Sequence, residues 1–357
     1  MPGGPALLLL LLPSALAARP RPQLTDVSPR LGARPRDLAT LAVVPAVWGT
    51  YAPLVKLVYQ GEPSPPPLLF NALSFAVSLS FLAGTRTLSR PDKPSPLRVS
   101  AWRAGAELGS WLFLGSSLQL LGLQSTSSVK AAVLVQTTTV LVPLLESVSQ
   151  RKLLPAPVYL SCAVAALGVL VLSGTAVSLS EPAFEKGDLL VLAAALFYSV
   201  HVLRLGALAS DCDPVELALT KSCCELFFSL VAIWISVAAG SARDYTAFIA
   251  ALSLGGGSEL GPLLGALLWN GVAATALTTW AQSEGQVSFT VLRPHSRRQK
   301  RVPPSQANLV YSSQPLWSTL FAVLFLHETL DARTSVGCAI LMVAVFAGSL
   351  SQRSRVH

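Results

Sequence analysis

Five stretches of this chain, residues 64–85, 153–180, 260–283, 302–326 and 334–352, contain no charged side chain. A helix rising about 1.5 Å per residue needs roughly 20 residues to cross a hydrocarbon core of about 30 Å, and each stretch is near or above that length. One or two such runs fit a signal peptide or a buried core helix; five require a membrane. Composition agrees, with 52% hydrophobic residues, 12% charged residues and a mean hydropathy of +0.56. Further spans emerge when one or two ionisable residues per segment are tolerated. These are Leu38–Tyr59 with Lys56, Ala104–Leu123 with Glu107, Ser128–Val148 with Lys130 and Glu146, residues 187–207, and Pro214–Ala238 with Lys221 and Glu225. The expected fold class is an all-α integral membrane protein with ten transmembrane helices. Loops such as GEPSPPP and SRPDKPSP leave the bilayer quickly, and no soluble domain of useful size remains.

The distribution of positive charge orients these spans. Twenty of the 26 Lys and Arg residues fall on one face: the tail with Arg19 to Arg36, the loop Arg86 to Arg103, Arg151 and Lys152, Arg204, the run Arg293 to Arg301, and Arg353 with Arg355. The other face receives Lys130, Lys186, Arg243 and Arg333, while Lys56 and Lys221 lie within spans. This is a strong positive-inside bias, so the run VLRPHSRRQKRVPP reads as a cytosolic or stromal loop. The net charge of +8 then needs no nucleic-acid partner. Five cysteines show no CxxC or Cys/His spacing, so they read as small packing residues, with no metal or cofactor expected.

Residues 1–36 read as a targeting segment. MPGGPALLLLLLPSALAA has an apolar run and a small-x-small site like a secretory signal peptide, and ARPRPQLTDVSPRLGARPR behind it is Arg-rich and acid-poor like a transit peptide. Two readings stay open. One is a two-part address to a secondary plastid, which places the protein in a plastid envelope; the other is a cleaved signal with a tail, which leaves an endomembrane or the plasma membrane.

Residues 131–173 align without gaps on 307–349, pairing Ala131 with Ala307, Leu154 with Leu330, Cys162 with Cys338 and Ser173 with Ser349. Five helices per half is an odd number, so the second copy enters the membrane inverted. Inverted repeats mark secondary transporters, whose sites lie between the halves near the midplane. The expected units are residues 38–177 and 187–351.

AVWGTYAPLVK, AELGSWLFLG, TSSVKAAVLVQTTTVLVPLLES, GDLLVLAAALFYSVHVLR and SQANLVYSSQPLWSTLFAVLFLHETL resemble the EamA-type permeases of the drug/metabolite transporter superfamily. His327-Glu328-Thr329-Leu330 is similar to that family's Gly-Glu-x-Leu hinge between the last two helices. The resemblance covers nearly all of residues 38–350. It implies ten helices in two inverted five-helix repeats and carriage of small organic solutes by alternating access. Two departures stand out: Arg151-Lys152 replaces the hinge acid in the first repeat, and residues 287–300 form an atypical basic insertion of the kind a retained intron would leave.

Ionisable residues inside spans are costly and usually face the interior or a wet cavity. The candidate substrate-binding residues are therefore Lys56, Glu107, Lys221 and Glu225, joined by the amides Gln119, Gln136, Asn270 and Gln314. Each has a plainer reading. Lys221 and Glu225, spaced i and i+4, could simply neutralise each other. Glu107 lies between Gly105 and Gly109, whose packing face is not the one its carboxylate takes, and its plainer reading is a group near the membrane surface. Amides more often only bond a neighbouring helix. Asn71, Thr137 to Thr139, Trp48, Trp111 and His201 are weaker candidates, and Trp280 suits the interfacial belt. Lys56 and Lys221 give a slight preference for anionic cargo.

No GxSxG, HExxH or Walker GxxxxGK[ST] motif is present, and the aspartates sit in loops or at helix ends, so no enzyme is expected. The expected function is secondary transport of small organic metabolites by exchange or proton coupling; alternatives are a channel, a receptor, or a membrane-embedded enzyme without a recognisable motif. Expected partners are a small-molecule solute and the lipid bilayer, with a second copy of the chain allowed as a homodimer. Cysteine-accessibility mapping is expected to place the Arg90 and Arg353 regions on the same side of the membrane; opposite sides would break the paired architecture.

Overall fold

The computed structural model describes residues 43–61, 64–89, 99–150, 153, 156–173, 185–209, 212–254, 257–287, 314–328 and 332–353. The targeting segment 1–36, Arg151-Lys152 and residues 288–300 of the insertion lie outside them. Lipid offers no partner to a free backbone N–H or C=O, which leaves the helix as the economical local structure for apolar runs like these. Residues 43–49 are helical and continue past Thr50 into α1 (Tyr51–Gln60). Then come α2 (Pro67–Ser89), α3 (Val99–Leu123), α4 (Ser128–Val135), α5 (Thr138–Gln150) and α6 (Ala156–Ser173). The second half has α7 (Lys186–Leu208), α8 (Pro214–Ser236), α9 (Ala242–Leu254), α10 (Gly257–Leu268), α11 (Thr278–Val287), α12 (Gln314–Leu326) and α13 (Ala332–Arg353). Among the described residues, five segments are long and apolar enough to cross a membrane: Pro67–Leu88, Ser128–Ser149, Lys186–Leu208, Pro214–Ser253 and Leu260–Gln282.

Three breaks depart from the spans read off the sequence. Residues 128–148 are not one continuous helix: Gln136 and Thr137 form a turn between α4 and α5. Their amides bond back three residues, to Val133 and Leu134, and the Thr137 hydroxyl donates to the Leu134 carbonyl at 2.8 Å. Threonine hydroxyls compete in this way with the helical ladder. Past Ala238 the chain kinks: the backbone is non-helical at Gly240 (φ 109°), and a second helix, α9, follows. Only a residue without Cβ takes that φ freely. The third break is a π-helical segment, Trp269–Leu277, joining α10 to α11.

The packing is inside-out relative to a soluble protein. Leu230, Trp234 and Ile235 on α8 and Leu320, Leu324 and Phe325 on α12 are exposed, while Asn71, Ser78, Gln119, Thr220 and Lys221 are buried. Exposed apolar faces of this extent suit contact with acyl chains.

Helix α3 lies between α7 and α8. Its glycines set the spacing: a Cβ at Gly109 would stand 2.9 Å from Cys224 Cβ of α8, and one at Gly115 would stand 2.5 Å from the Tyr198 ring of α7. Gly122 and Gly187 meet backbone to backbone in the same way. The Thr220 hydroxyl crosses from α8 to the Ala101 carbonyl of α3 at 3.0 Å. Helix α2 packs on α8, where Ser78 and Ser222 hydroxyls bond at 3.0 Å, and α6 packs along α13. Gly115→Leu is expected to separate α3 from α7 at a cost of about 1–3 kcal/mol, lowering the apparent melting temperature in detergent; Gly84→Leu, where nothing lies within 4 Å of the added Cβ, is expected to leave it unchanged.

Candidate functional site

A cavity of about 150 Å³ opens where elements from both halves of the chain meet. From the first half come Trp48 and Tyr51, Asn71 and Phe75 of α2, Gln119 of α3, and Gln136 in the turn between α4 and α5. The second half supplies Tyr198 and His201 of α7, Glu225 of α8, Asn270 of the π-helical segment, Thr278 and Gln282 of α11, and Gln314 of α12. Both irregular segments thus contribute to the wall. A π-turn rotates its residues out of the ordinary helical register; here it carries Asn270 to α2, where its amide donates to Ser74 Oγ at 3.0 Å.

A relay of side chains ties four elements together across the cavity. Gln136 Nε2 donates to Gln314 Oε1 at 3.3 Å, Gln314 Nε2 reaches the Trp48 carbonyl at 3.5 Å, and Trp48 Nε1 donates to Thr278 Oγ1 at 3.0 Å. On the opposite wall Tyr198 donates to Gln119 Oε1 at 2.8 Å. Glu225 is the sole carboxylate on the lining among the described residues, and no Lys or Arg joins it there. One turn away on α8, Lys221 is fully buried and interacts electrostatically with both Glu225 and His201. It stands behind the wall.

Of the eight candidates, Gln119, Gln136, Glu225, Asn270 and Gln314 come together around the cavity, with Lys221 adjoining Glu225. Lys56 is elsewhere: its Nζ donates to the carbonyls of Leu123 (3.0 Å) and Thr126 (2.7 Å), neutralising the carbonyl end of α3. Glu107 pairs with Arg204 of α7 at a partly exposed position away from the cavity, its side chain 31% exposed. Its place within a span made an interior role the expectation; the carboxylate instead finds a guanidinium at the end of the adjoining helix. With neither lysine on the lining, the preference for anionic cargo loses its basis. Trp48 walls the cavity, whereas Trp111 stacks on Phe197 and Trp280 packs against the cluster around Leu82 and Ala218. Tyr51, Phe75, Tyr198, Thr278 and Gln282 were missed. Gln282 was findable as one more amide in an uncharged run, but an aromatic residue on an apolar helix faces lipid or cavity with the same local sequence.

Polar links away from the cavity lining also join the two halves. The Glu328 carboxylate accepts from Ser128 N (3.2 Å), Ser128 Oγ (2.8 Å) and Val129 N (3.4 Å), capping the start of α4. Asp188, fully buried, pairs with Lys130 at 2.7 Å and accepts from the Thr126 hydroxyl at 2.7 Å. His327, just before Glu328, has φ 53°. That left-handed backbone is where glycine is favoured, which gives the similar Gly-Glu-x-Leu hinge a physical reason.

Apolar outside, polar inside and hollow, the fold defines a helical membrane protein with a solute-sized interior site. Residues 38–174 match the EamA-like transporter family. An uncharacterized transporter of Archaeoglobus fulgidus is 24% identical over 310 residues, covering 87% of this chain and 84% of its own. A protein crystal structure superposes with a TM-score of 0.58 over 90% of this chain and 99% of its own at 18% identity, a likeness of fold alone. The match over residues 38–174 and the transporter-named relative support an EamA-type permease of the drug/metabolite transporter superfamily, a membrane transporter.

Because the Glu107–Arg204 pair is partly exposed and outside the cavity, Glu107→Gln is expected to cost no more than about 1 kcal/mol of stability and to leave transport unchanged; a loss of flux with normal folding would restore Glu107 to the site.

Proposed function

We propose that this protein is a secondary carrier of small organic metabolites, working by alternating access between two inverted five-helix repeats that make ten transmembrane helices. The observation that carries the reading is the cavity itself, whose wall draws Gln136 from one half and Gln314 from the other and joins them by a hydrogen bond. Sites between repeats, at interrupted helices, are the arrangement expected of such carriers.

Helix contacts support the repeats. Exchanging the halves maps α2 onto α8, and α3 onto the run from α10 to α11. The packing of α3 on α8 then corresponds to that of α2 on Trp269–Leu277, and both contacts exist. The α2–α8 and α6–α13 contacts map onto themselves, as elements beside a two-fold axis do. The links at Glu328 and Asp188 each join one half to the other, so they suit a gate that closes one side of the cavity while the opposite side is free to open. Either exchange or proton coupling fits this arrangement, and the targeting segment suits a plastid envelope or, as a cleaved signal, an endomembrane or the plasma membrane.

In proteoliposomes, flux is expected to saturate and to be stimulated by counter-substrate. Glu328→Ala removes an N-cap link worth about 1 kcal/mol and is expected to raise the reactivity of Ser127→Cys toward a membrane-impermeant maleimide by several-fold. Unsaturable conductance, with the same cysteine reactivity in both backgrounds, would make the protein a channel.

A further inference from the structure

Five cavity-lining residues hold a buried polar atom with no protein hydrogen-bond partner: Tyr51 Oη, Gln136 Oε1, His201 Nε2, Glu225 Oε2 and Asn270 Oδ1. Three of these atoms are amide or carboxylate oxygens, which accept hydrogen bonds. In both amides the nitrogen is already engaged, Gln136 Nε2 with Gln314 and Asn270 Nδ2 with Ser74. Buried acceptors left unmet are costly, so the groups that complete them must bring N–H or O–H. The wall holds the Glu225 carboxylate and, among the described residues, no Lys or Arg. A carboxylate or phosphate entering here would desolvate beside Glu225 without a cation on the lining to receive it. A cation would instead gain a charge-assisted bond to that carboxylate. Trp48, Tyr51, Phe75 and Tyr198 add aromatic faces suited to a flat apolar body and to an adjacent cation. The cavity of about 150 Å³ matches one benzene-sized ring.

We infer that the cargo is a small ammonium-bearing organic solute with a single flat apolar group, its ammonium bonded to Glu225 and its remaining donors turned to Gln136 and Asn270. This rests on the carrier reading and narrows it, making Glu225 the residue that sets selectivity for cations. Organic phosphates, sugar phosphates and simple carboxylates are excluded by the same wall.

The test uses three probes that share a phenyl ring and a short carbon chain and differ in the polar head: 2-phenylethylamine, 2-phenylethanol and phenylacetate. Titrated into the purified full-length protein and read by calorimetry, the amine is expected to bind at least about tenfold tighter than the alcohol, with phenylacetate weakest. Lys221→Met combined with Glu225→Gln removes both buried charges together, so no lone lysine is left in the core. In that variant the amine's advantage over the alcohol is expected to vanish while alcohol binding persists. Glu225→Asp, which keeps the charge pair, serves if the double variant does not fold, and is expected to reduce amine affinity alone. Three outcomes overturn the inference: phenylacetate binding as tightly as the amine, no binding by any probe, or an amine preference that survives loss of the Glu225 carboxylate. If other solutes still show saturable flux in those cases, the carrier reading stands; if amine binds with the expected pattern but conductance never saturates, the carrier reading fails and the ligand class remains.

Discussion

The close approach of α3 to α7 and α8 is the contact on which the rest of the molecule depends. Lipid tails are as apolar as leucine, so burying apolar surface gives helices little reason to associate within a bilayer; shape complementarity and interhelical hydrogen bonds must do it. Gly105 and Gly109 admit Thr220 and Cys224 of α8, and Gly115 and Gly122 admit Tyr198 and Val191 of α7. One helix thereby holds two neighbours at near-backbone distance. Gln119 on α3, Tyr198 on α7 and Glu225 on α8 reach the same cavity as a result.

The charged side chains inside the bundle fall into two groups. In one, Lys130, Asp188 and Glu328 are matched against partners on the other half of the chain, and each carboxylate is bonded more than once. In the other, Lys221 and Glu225 are buried together, and one Glu225 oxygen keeps no protein partner. A charge pair in an apolar interior is expensive even when satisfied. An unsatisfied oxygen beside a cavity is the kind of local inconsistency that marks a site. The fully bonded group resembles a latch, and the incompletely bonded group resembles a binding surface awaiting donors.

Much of this was legible in the sequence, for identifiable reasons. Spans follow from charge depletion, because the penalty for placing Lys, Arg, Asp or Glu in hydrocarbon is large enough to leave gaps of the right length. Gln136 and Gln314 could be singled out because they fall in segments of the sequence that align with each other, and they do bond to each other. Lys56 and Glu107 met the same criterion of an ionisable group within a span, yet serve a helix terminus and an ion pair with Arg204. A one-dimensional reading cannot separate the middle of a span from its ends by the two or three residues that decide this. The breaks at Gln136-Thr137 and at Trp269–Leu277 were equally hidden, since α- and π-turns accept the same residues and differ in what packs against them.

The sequence by itself determined that the chain is helical and membrane-embedded, and which helices carry amides. Those properties are set by transfer free energies and backbone hydrogen bonding, which act residue by residue. Tertiary structure alone decided which polar side chains share a cavity, that Lys221 stands behind Glu225, and that no cation lies on the described wall. Such facts depend on the rotation of each helix about its own axis. That rotation is chosen by the contacts of its glycines and hydroxyls with residues on other helices, distant in the sequence.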